Sequence, residues 1–375
     1  MDTFLTVIFY FSIFLIAYNY LIYPLGIIIA AKIKPLEHHI YLEDEDLPGI
    51  CLVIPAISDF DAIEKKIKNT LRLYYPDNKL MILTVSNKND IKAQDFLSEY
   101  KKQGIINFKK SNLTNYYQAL NIGAKLARAD VVVFSDIHND FNDMVLVKLA
   151  RHFKDPEIGA VTGVRNIYES RTKQSSEGDR LYWEYESSIK HAQSQLGSVT
   201  AAAGEILAIR RELYKPVPDN TINFDSAITF NLVKSGYRVI ADRDAISLKE
   251  TSKDIVDLFN EQSLKARGGF QTLFREFEFL FPPKTWFAFS FLSHKVIRWF
   301  IPFMLIILFV ISIIQFDNGF MKLFLAAQIL FYALTGFGWY FRKKIQLPMI
   351  TNISTYFVVM NLAVLTGFFR FLFRR

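Results

Sequence analysis

The sequence is poor in cysteine and lacks several common catalytic and phosphate-binding motifs. Its 375 residues include a single cysteine, Cys51, which excludes an internal disulfide and cannot build a thiolate zinc site alone. Neither a G-x-G-x-x-G fingerprint nor a P-loop follows any predicted strand, and no serine occupies a nucleophile elbow. The polar middle has no basic stripe interleaved with aromatic residues, so we expect no nucleic-acid partner.

Long hydrophobic stretches lie near both ends of the chain. Hydrophobic residues make up 51% of the sequence and aromatic residues 15%, which is high for a soluble protein. Residues 4–31 carry no charge and exceed the about 20 apolar residues that cross a bilayer. Because this stretch begins after Met1-Asp2 and ends at Lys32 and Lys34, we predict a retained anchor instead of a cleaved signal peptide. Three further apolar stretches predict membrane-spanning helices, at about 299–316, 319–341 and 349–369.

Basic residues flank the predicted spans and indicate their orientation. By the positive-inside tendency, three clusters face the cytoplasm: Lys32 and Lys34; Lys295 and Arg298; Arg342, Lys343 and Lys344. These clusters explain the formal net charge of +7 better than nucleic-acid binding does. Simple alternation of the spans puts the C-terminal arginines outside, which conflicts with the same tendency; these are Arg370, Arg374 and Arg375.

Between the hydrophobic ends, strand-like and helix-like segments alternate. Apolar runs predict strands at 49–56, 79–86, 131–136 and 158–167, and a shorter one at 106–110. Amphipathic segments between these runs predict helices. The alternation predicts an open, mainly parallel α/β sheet. Ligands of such sheets bind beyond the carboxyl ends of the strands.

Polar side chains follow the strand at 131–136. In VVVFSDIHND, Asp136 ends the apolar run, and a carboxylate there could ligate a hard divalent cation. His138 is a poorer ligand for Mg²⁺ but acceptable to Mn²⁺. Alternatively, Asp136 or Asn139 caps a turn before the next helix. The residues alone leave both interpretations open.

Two further segments carry candidate functional side chains. Asp225 opens a predicted helix, where it is either an N-cap or a general base for an acceptor hydroxyl. Gln262, Lys265 and Arg267 precede a glycine pair. These residues could clamp a pyrophosphate, or they could form a solvated helix face near a membrane surface.

Segments along nearly the whole chain occur in a characteristic order. They are YPLGI, IPA, LYYPDNKL, QALNIGAKLARADVVVFSD, YWEYE, AAAGEILAIRRELY, FDSAITFNLVKSGYRV and SHKVIRW, followed by the C-terminal spans. This order resembles the family 2 glycosyltransferases, membrane-bound inverting enzymes that include cellulose, hyaluronan and poly-N-acetylglucosamine synthases. The resemblance implies a GT-A type (Rossmann-like), mainly parallel sheet flanked by helices. It also implies four regions: an anchor at 1–34, a cytoplasmic catalytic domain at 47–260, an interfacial segment at 261–298 and transmembrane helices at 299–375.

The resemblance also implies a reaction and a set of site residues. A nucleoside-diphosphate sugar would donate its glycosyl group to a lipid-linked or polysaccharide hydroxyl, with Mg²⁺ or Mn²⁺ at the diphosphate. Asp225 takes the position of the catalytic base, and Asp136 and His138 take those of the metal-binding D-x-D motif. The donor side comprises Pro55, Asp59, Asn87, Asn121, Gln262, Lys265 and Arg267. The acceptor side comprises Tyr185, Glu186, Gly204 and Glu205.

Several positions depart from the family's motifs. Ser58-Asp59 stands for N-E, Asn87-Lys88-Asn89 for D-x-S, Asn115-Tyr116 for G-K, and Lys265-Ala266 for R-W. Two hypotheses follow. The chain is an active glycosyltransferase in a bacterial inner membrane, in contact with membrane lipids. Alternatively, it is a catalytically degenerate homologue that serves as a partner or scaffold for other subunits of a polysaccharide-assembly complex.

Overall fold

The computed structural model describes residues 3–57, 60–113, 115–168, 176–250, 255–342 and 348–373. Some residues named above lie outside these ranges: Ser58, Asp59, Lys343, Lys344, Arg374 and Arg375. The chain forms two compact units. The helical unit comprises Met1–Ile29, Glu169–Tyr185 and Thr251–Arg375, and the sheet unit comprises Ala30–Tyr168 and Glu186–Glu250. The region boundaries at 34, 47, 260 and 298 stay predictions.

The described residues contain eight strands and fourteen α-helices. The strands are β1 Ile50–Ala56, β2 Leu80–Asn87, β3 Ile105–Lys110, β4 Val131–Ser135, β5 Asn139–Phe141, β6 Ile158–Tyr168, β7 Ile206–Arg210 and β8 Arg238–Glu250. The helices are α1 Thr3–Ala17, α2 Tyr23–Ile33, α3 Phe60–Thr70, α4 Ile91–Glu99, α5 Tyr116–Leu126, α6 Val145–Ala150, α7 Ser176–Leu196, α8 Phe224–Lys234, α9 Ile255–Arg275, α10 Phe277–Leu280, α11 Trp286–Phe291, α12 Ile297–Ile314, α13 Gly319–Phe341 and α14 Met349–Leu372.

One mixed sheet forms the centre of the sheet unit. Its strand order is β3-β2-β1-β4-β7-β6-β8-β5. The four strands from β3 to β4 are parallel, as the alternation of segments predicted. Strand β7 runs antiparallel to both β4 and β6, and β5 runs antiparallel to β8. The sequence did not predict β5, β7 or β8 as strands, so the sheet is more mixed than expected.

Both faces of β1 are buried, which explains its uninterrupted apolar sequence. Ile50, Leu52 and Ile54 pack into one hydrophobic cluster with residues of α3, α4 and α6. Cys51 and Val53 pack into a second cluster with residues of α5 and α8 on the opposite face. Cys51 has no solvent exposure and is a small core residue.

Four helical segments are long and apolar enough to cross a membrane. They are Thr3–Ile33, Trp286–Ile314, Gly319–Phe341 and Met349–Leu372. Each contains most of a predicted stretch, but the second begins 13 residues before the expected residue 299. It does so because α11 continues without a break through a π-helical segment, Leu292–Val296, into α12. His294, Lys295 and Arg298 interrupt the hydrophobic sequence there without ending the helix.

Candidate active site

The turn after β4 places Asp136 at the carboxyl end of the parallel strands. Asp136 Oδ1 accepts a hydrogen bond from the His138 backbone N–H at 2.8 Å, so this side chain does stabilise a turn. Asp136 is partly exposed and the His138 imidazole is exposed. The metal-ligand and turn-cap interpretations of Asp136 are therefore compatible, because the turn uses only one carboxylate oxygen.

Tyr116, at the first position of α5, directs its hydroxyl to the same strand end. The hydroxyl donates a hydrogen bond to the Ser135 carbonyl at 3.3 Å. Burial raises the pKa of Tyr116 well above its usual value, and the nearby carboxylates of Asp136, Glu205 and Asp225 raise it further. Tyr116 is therefore a neutral hydrogen-bond donor at physiological pH. Its surroundings bring together three carboxylates that are distant in the sequence.

Asp225 lies in the first turn of α8. Asn223 is the N-cap residue of this helix and makes no side-chain capping bond, so Asp225 does not have the N-cap role that we considered. Asp225 is partly exposed, and its Oδ1 accepts a hydrogen bond from the Ser226 N–H at 2.9 Å. The partial positive charge of the helix N-terminus stabilises an ionised carboxylate at this position.

Two predicted acceptor-side residues, Gly204 and Glu205, lie close to Asp225. A Cβ atom at Gly204 would come 3.4 Å from Asp225 Cβ, so only a small residue leaves the Asp225 side chain its space. Glu205 follows directly and is buried in an ion pair with Arg165 of β6, with 2.5 Å between Arg165 Nε and Glu205 Oε1. Glu186, on α7, is also buried. Removing Arg165 would leave the Glu205 charge without this compensation.

The side chains at this turn can hold a divalent cation only if a substrate supplies further metal ligands. No group of three His, Cys, Asp or Glu side chains that could hold a metal occurs within the described residues. Asp136 and His138 provide one carboxylate oxygen outside the turn hydrogen bond and one exposed imidazole. Mg²⁺ and Mn²⁺ commonly take one or two protein ligands and complete their shell with phosphate oxygens and water.

Two predicted donor-side asparagines are bound within the sheet unit. Asn87 ends β2, where its amide donates to the Leu113 carbonyl at 3.3 Å and accepts from the Asn89 N–H at 3.0 Å. Asn121 of α5 donates to the Val217 carbonyl at 2.9 Å and accepts from the Val217 N–H at 3.1 Å. Both side chains therefore hold loops in place, which leaves their roles toward a donor as predictions.

The other described donor-side residues lie either in β1 of the sheet unit or on α9 of the helical unit. Pro55 is buried in β1. It lies beyond the last β1 residue that pairs with β4, so its lack of a backbone N–H removes no hydrogen bond to β4. Gln262, Lys265 and Arg267 lie on α9 of the helical unit. Lys265 pairs with Glu261 at 2.7 Å, and its Nζ lies 5.7 Å from the centre of the Trp183 ring.

Tyr185 belongs to the helical unit. Its hydroxyl donates to the Tyr20 carbonyl at 3.1 Å, and the Arg298 guanidinium lies 5.8 Å from the centre of its ring.

The sequence did not identify Tyr116 or Tyr117 as site residues. Tyr117 stacks on Phe224 at 5.3 Å between ring centres, and its hydroxyl donates to the Ile222 carbonyl at 2.6 Å. Burial and the carboxylates of Asp225 and Asp136 raise its pKa to about 12. The replacement of the expected G-K by Asn115-Tyr116 was the one signal that this segment differs.

Comparison with known proteins shows which sequences and structures this chain is similar to. Residues 51–217 match the family described as Glycosyl transferase family 2. Poly-beta-1,6-N-acetyl-D-glucosamine synthase of Staphylococcus aureus (strain MSSA476) is 26% identical over 240 residues. The alignment covers 62% of this chain and 57% of that protein, so the chain matches little more than half the length of this relative.

A solved structure shares the fold along the chain. Mannosyltransferase PcManGT from Pyrobaculum calidifontis, in complex with GDP-Man and Mn²⁺, superposes with a TM-score of 0.74 at 17% sequence identity. The superposition covers 98% of this chain and 99% of that chain. The fold of this chain is therefore of the GT-A type, as the resemblance implied.

Proposed function

We propose that this chain is a membrane-bound inverting glycosyltransferase that moves a sugar from a nucleoside-diphosphate sugar to an acceptor hydroxyl. The observation that carries the proposal is that the adjacent Tyr116 and Tyr117 of α5 contact Ser135 and Phe224, the residues directly before Asp136 and Asp225. The structural neighbour PcManGT was solved in complex with GDP-Man and Mn²⁺, which supports a nucleotide-sugar donor. By their names, the Staphylococcus aureus relatives make a polysaccharide, which supports a lipid-linked or polysaccharide acceptor.

Asp225 is the proposed catalytic base. Its carboxylate takes the proton of the acceptor hydroxyl while the hydroxyl oxygen bonds to the anomeric carbon of the donor. The bond from that carbon to the diphosphate oxygen breaks, and its electron pair leaves on the diphosphate. A single displacement of this kind inverts the anomeric configuration. Gly204 lies beside this side chain, where an added Cβ atom would come 3.4 Å from the Asp225 Cβ.

Charge on the diphosphate must be compensated for it to leave. Asp136 and His138 would hold Mg²⁺ or Mn²⁺, which supplies positive charge to the departing diphosphate. The neutral Tyr116 hydroxyl keeps the strand end in place beside Asp136. No lysine stands at residue 116 to add a positive charge, which makes the cation more important here.

A second candidate function has one observation in its favour. The Asn87 and Asn121 amides, expected to contact the donor, are hydrogen-bonded within the sheet unit. A homologue that has lost donor binding could serve as a scaffold for other polysaccharide-assembly subunits. This alternative predicts that the chain binds no nucleotide sugar.

The experiment is a turnover assay of the full chain in nanodiscs. UDP-, GDP- and dTDP-sugars are supplied with Mg²⁺ or Mn²⁺, and release of the free nucleoside diphosphate is measured. We expect release with at least one donor and a loss of at least 100-fold in Asp225→Asn, since general bases contribute about 10²–10⁴-fold.

The exposed Asp77, on a surface turn of the sheet unit, provides the matched control as Asp77→Asn. Equal loss in both variants, or full release by Asp225→Asn, would refute the base assignment. Absence of nucleotide binding by calorimetry would refute the enzyme proposal in favour of the scaffold.

A further inference from the structure

Helix α3 contacts the strand that follows the candidate metal turn through three polar side chains. Lys66 Nζ donates to the Asn139 carbonyl at 2.7 Å, and Lys65 Nζ lies 2.9 Å from Asp140 Oδ2. Asn69 donates to the Phe141 carbonyl at 2.9 Å and accepts from the Phe141 N–H at 2.8 Å. We call Lys65, Lys66 and Asn69 the β5 clamp. Each residue of β5 is thus contacted by at least one side chain of α3.

The clamp takes the place of a missing neighbour strand. Strand β5 is the last strand of the sheet, with β8 on one side. The main-chain groups of Asn139 and Phe141, two residues apart, point to the same edge, and there they meet Lys66 and Asn69. Unpaired buried main-chain groups cost free energy, so an edge strand of three residues needs such partners. The Asn69 amide supplies one donor and one acceptor, as a neighbouring strand would.

Lys66 is the most unusual member of the clamp. It has no solvent exposure, which is rare for lysine because its amino group is strongly hydrated in water. Its Nζ lies 3.7 Å from the centre of the Phe141 ring, which compensates part of the lost hydration. An apolar side chain would fill the same space without that cost. What it could not do is bond the Asn139 carbonyl.

Asn139 lies immediately after the turn that presents Asp136 and His138. Its N–H also approaches the Asp136 carbonyl, at 3.4 Å. Fixing the Asn139 carbonyl therefore fixes the end of a turn whose start is held by β4 and by the Tyr116 hydroxyl. A metal ligand keeps its affinity only when its support is rigid, and loss of such support commonly costs 10–100-fold in affinity.

We propose that Lys66 is a positioning residue for the donor site, and that it holds the Asp136–His138 turn in the geometry that binds a divalent cation together with a nucleoside diphosphate. This inference rests on the proposed function. Lys66 acts through Asn139 and does not touch the substrate.

The test compares Lys66→Met with Lys68→Met in the full chain. Both substitutions remove one amino group from α3, but the Lys68 side chain is 56% exposed and pairs with Glu64 on the same helix. Mn²⁺ binding is measured by electron paramagnetic resonance in the presence of UDP or GDP, whichever the wild-type protein binds. Turnover is then measured against Mn²⁺ concentration, and thermal unfolding is recorded for each variant.

We expect Lys66→Met to weaken Mn²⁺ binding by about tenfold and to raise the Mn²⁺ concentration for half-maximal turnover similarly. Lys68→Met should match the wild type in both. A purely structural role for Lys66 predicts a lower Tm with unchanged Mn²⁺ affinity, and that result would overturn the inference.

Asn69→Ser removes the hydrogen bonds of the Asn69 amide to the Phe141 main chain, and it provides a second variant if Lys66→Met does not fold. It should weaken Mn²⁺ binding in the same direction, and unchanged binding counts against the inference. If the wild-type protein turns over the donor and Lys66→Met binds Mn²⁺ normally, only the inference about Lys66 is refuted. A wild-type protein that binds no nucleotide refutes the proposed function with it.

Discussion

The buried Lys66 side chain makes the stability of the sheet unit depend on pH. Burial lowers the pKa of Lys66 from 10.5 to about 7, although Asp140 and Asp136 act in the opposite direction. Between these two values the unfolded chain binds a proton that the folded chain does not. Folding stability therefore rises with pH in this window, by at most about 1.4 kcal/mol per pH unit from this residue, and is lowest below pH 7.

We predict that Lys66→Met removes this contribution. From pH 7 to pH 10 the wild-type protein should gain stability relative to Lys66→Met, because only the wild-type chain carries the titrating amino group. Thermal unfolding of both proteins at several pH values measures the difference. Stability curves that stay parallel across the window would show that Lys66 keeps an ordinary pKa in the folded protein.

At the scale of elements, a bulge of β8 forms a second buried polar cluster in the sheet unit. Thr162 of β6 pairs with Ala241 and Val164 with Ile246, so residues 242–245 of β8 lie opposite Gly163 alone. Asp242 in this bulge accepts hydrogen bonds from Arg151 at 2.7 and 3.1 Å. Its Oδ2 also lies 2.7 Å from His152 Nε2.

This cluster yields a stability prediction with an internal control. The Asp242 side chain is 4% exposed, so Asp242→Asn removes the buried counter-charge of Arg151, whose other ion pair is with the exposed Asp244 at 3.7 Å. We expect a loss of about 3 kcal/mol in the free energy of unfolding. Asp244 lies two residues further and is 61% exposed, so Asp244→Asn should change stability by less than about 0.5 kcal/mol. Denaturant or thermal unfolding compares the variants, and equal effects would contradict the argument.

Local sequence was enough to predict some of the strands and helices of the sheet unit and not others. Strands β1 to β4 and helices α3 to α5 were predictable because each apolar run or amphipathic period is complete within about ten residues. Strand β7 was not, since ILAIR is short and pairs antiparallel between β4 and β6. Strand β8 was missed because its bulge places Asp242, Arg243 and Asp244 between short apolar runs, and both ends of the strand are charged.

In the candidate site, too, some residues could be predicted from local sequence and others could not. Asp136 and Asp225 were predictable from their places at a strand end and a helix start, together with the family's order of motifs. Lys66 and Tyr116 were not, because their importance comes from contacts with residues 73 and 19 positions away along the chain. Lys66 lies three residues after Ile63 and four before Thr70, at the edge of the apolar face of α3, but a charged residue at that edge does not by itself indicate burial.

At the scale of the whole molecule, packing inside the helical unit bears on the orientation of the last helix. Phe368 of α14 contacts Phe303 of α12 at 5.1 Å between ring centres. Arg370 donates to the Ser263 hydroxyl of α9 at 3.1 Å. The C-terminal end of α14 therefore lies beside the beginning of α12. Lys295 and Arg298 mark that beginning as cytoplasmic by the positive-inside tendency.

We therefore predict that the C-terminus is cytoplasmic, against simple alternation of four spans and in agreement with the basic residues around Arg370. The only native cysteine is buried, so cysteines introduced at exposed residues report membrane topology cleanly. Asp317→Cys, between α12 and α13, should react with an impermeant maleimide in intact spheroplasts. Phe373→Cys and Glu37→Cys should react only after the membrane is opened. Labelling of Phe373→Cys from outside would restore the alternating arrangement, because α14 would then cross the bilayer completely.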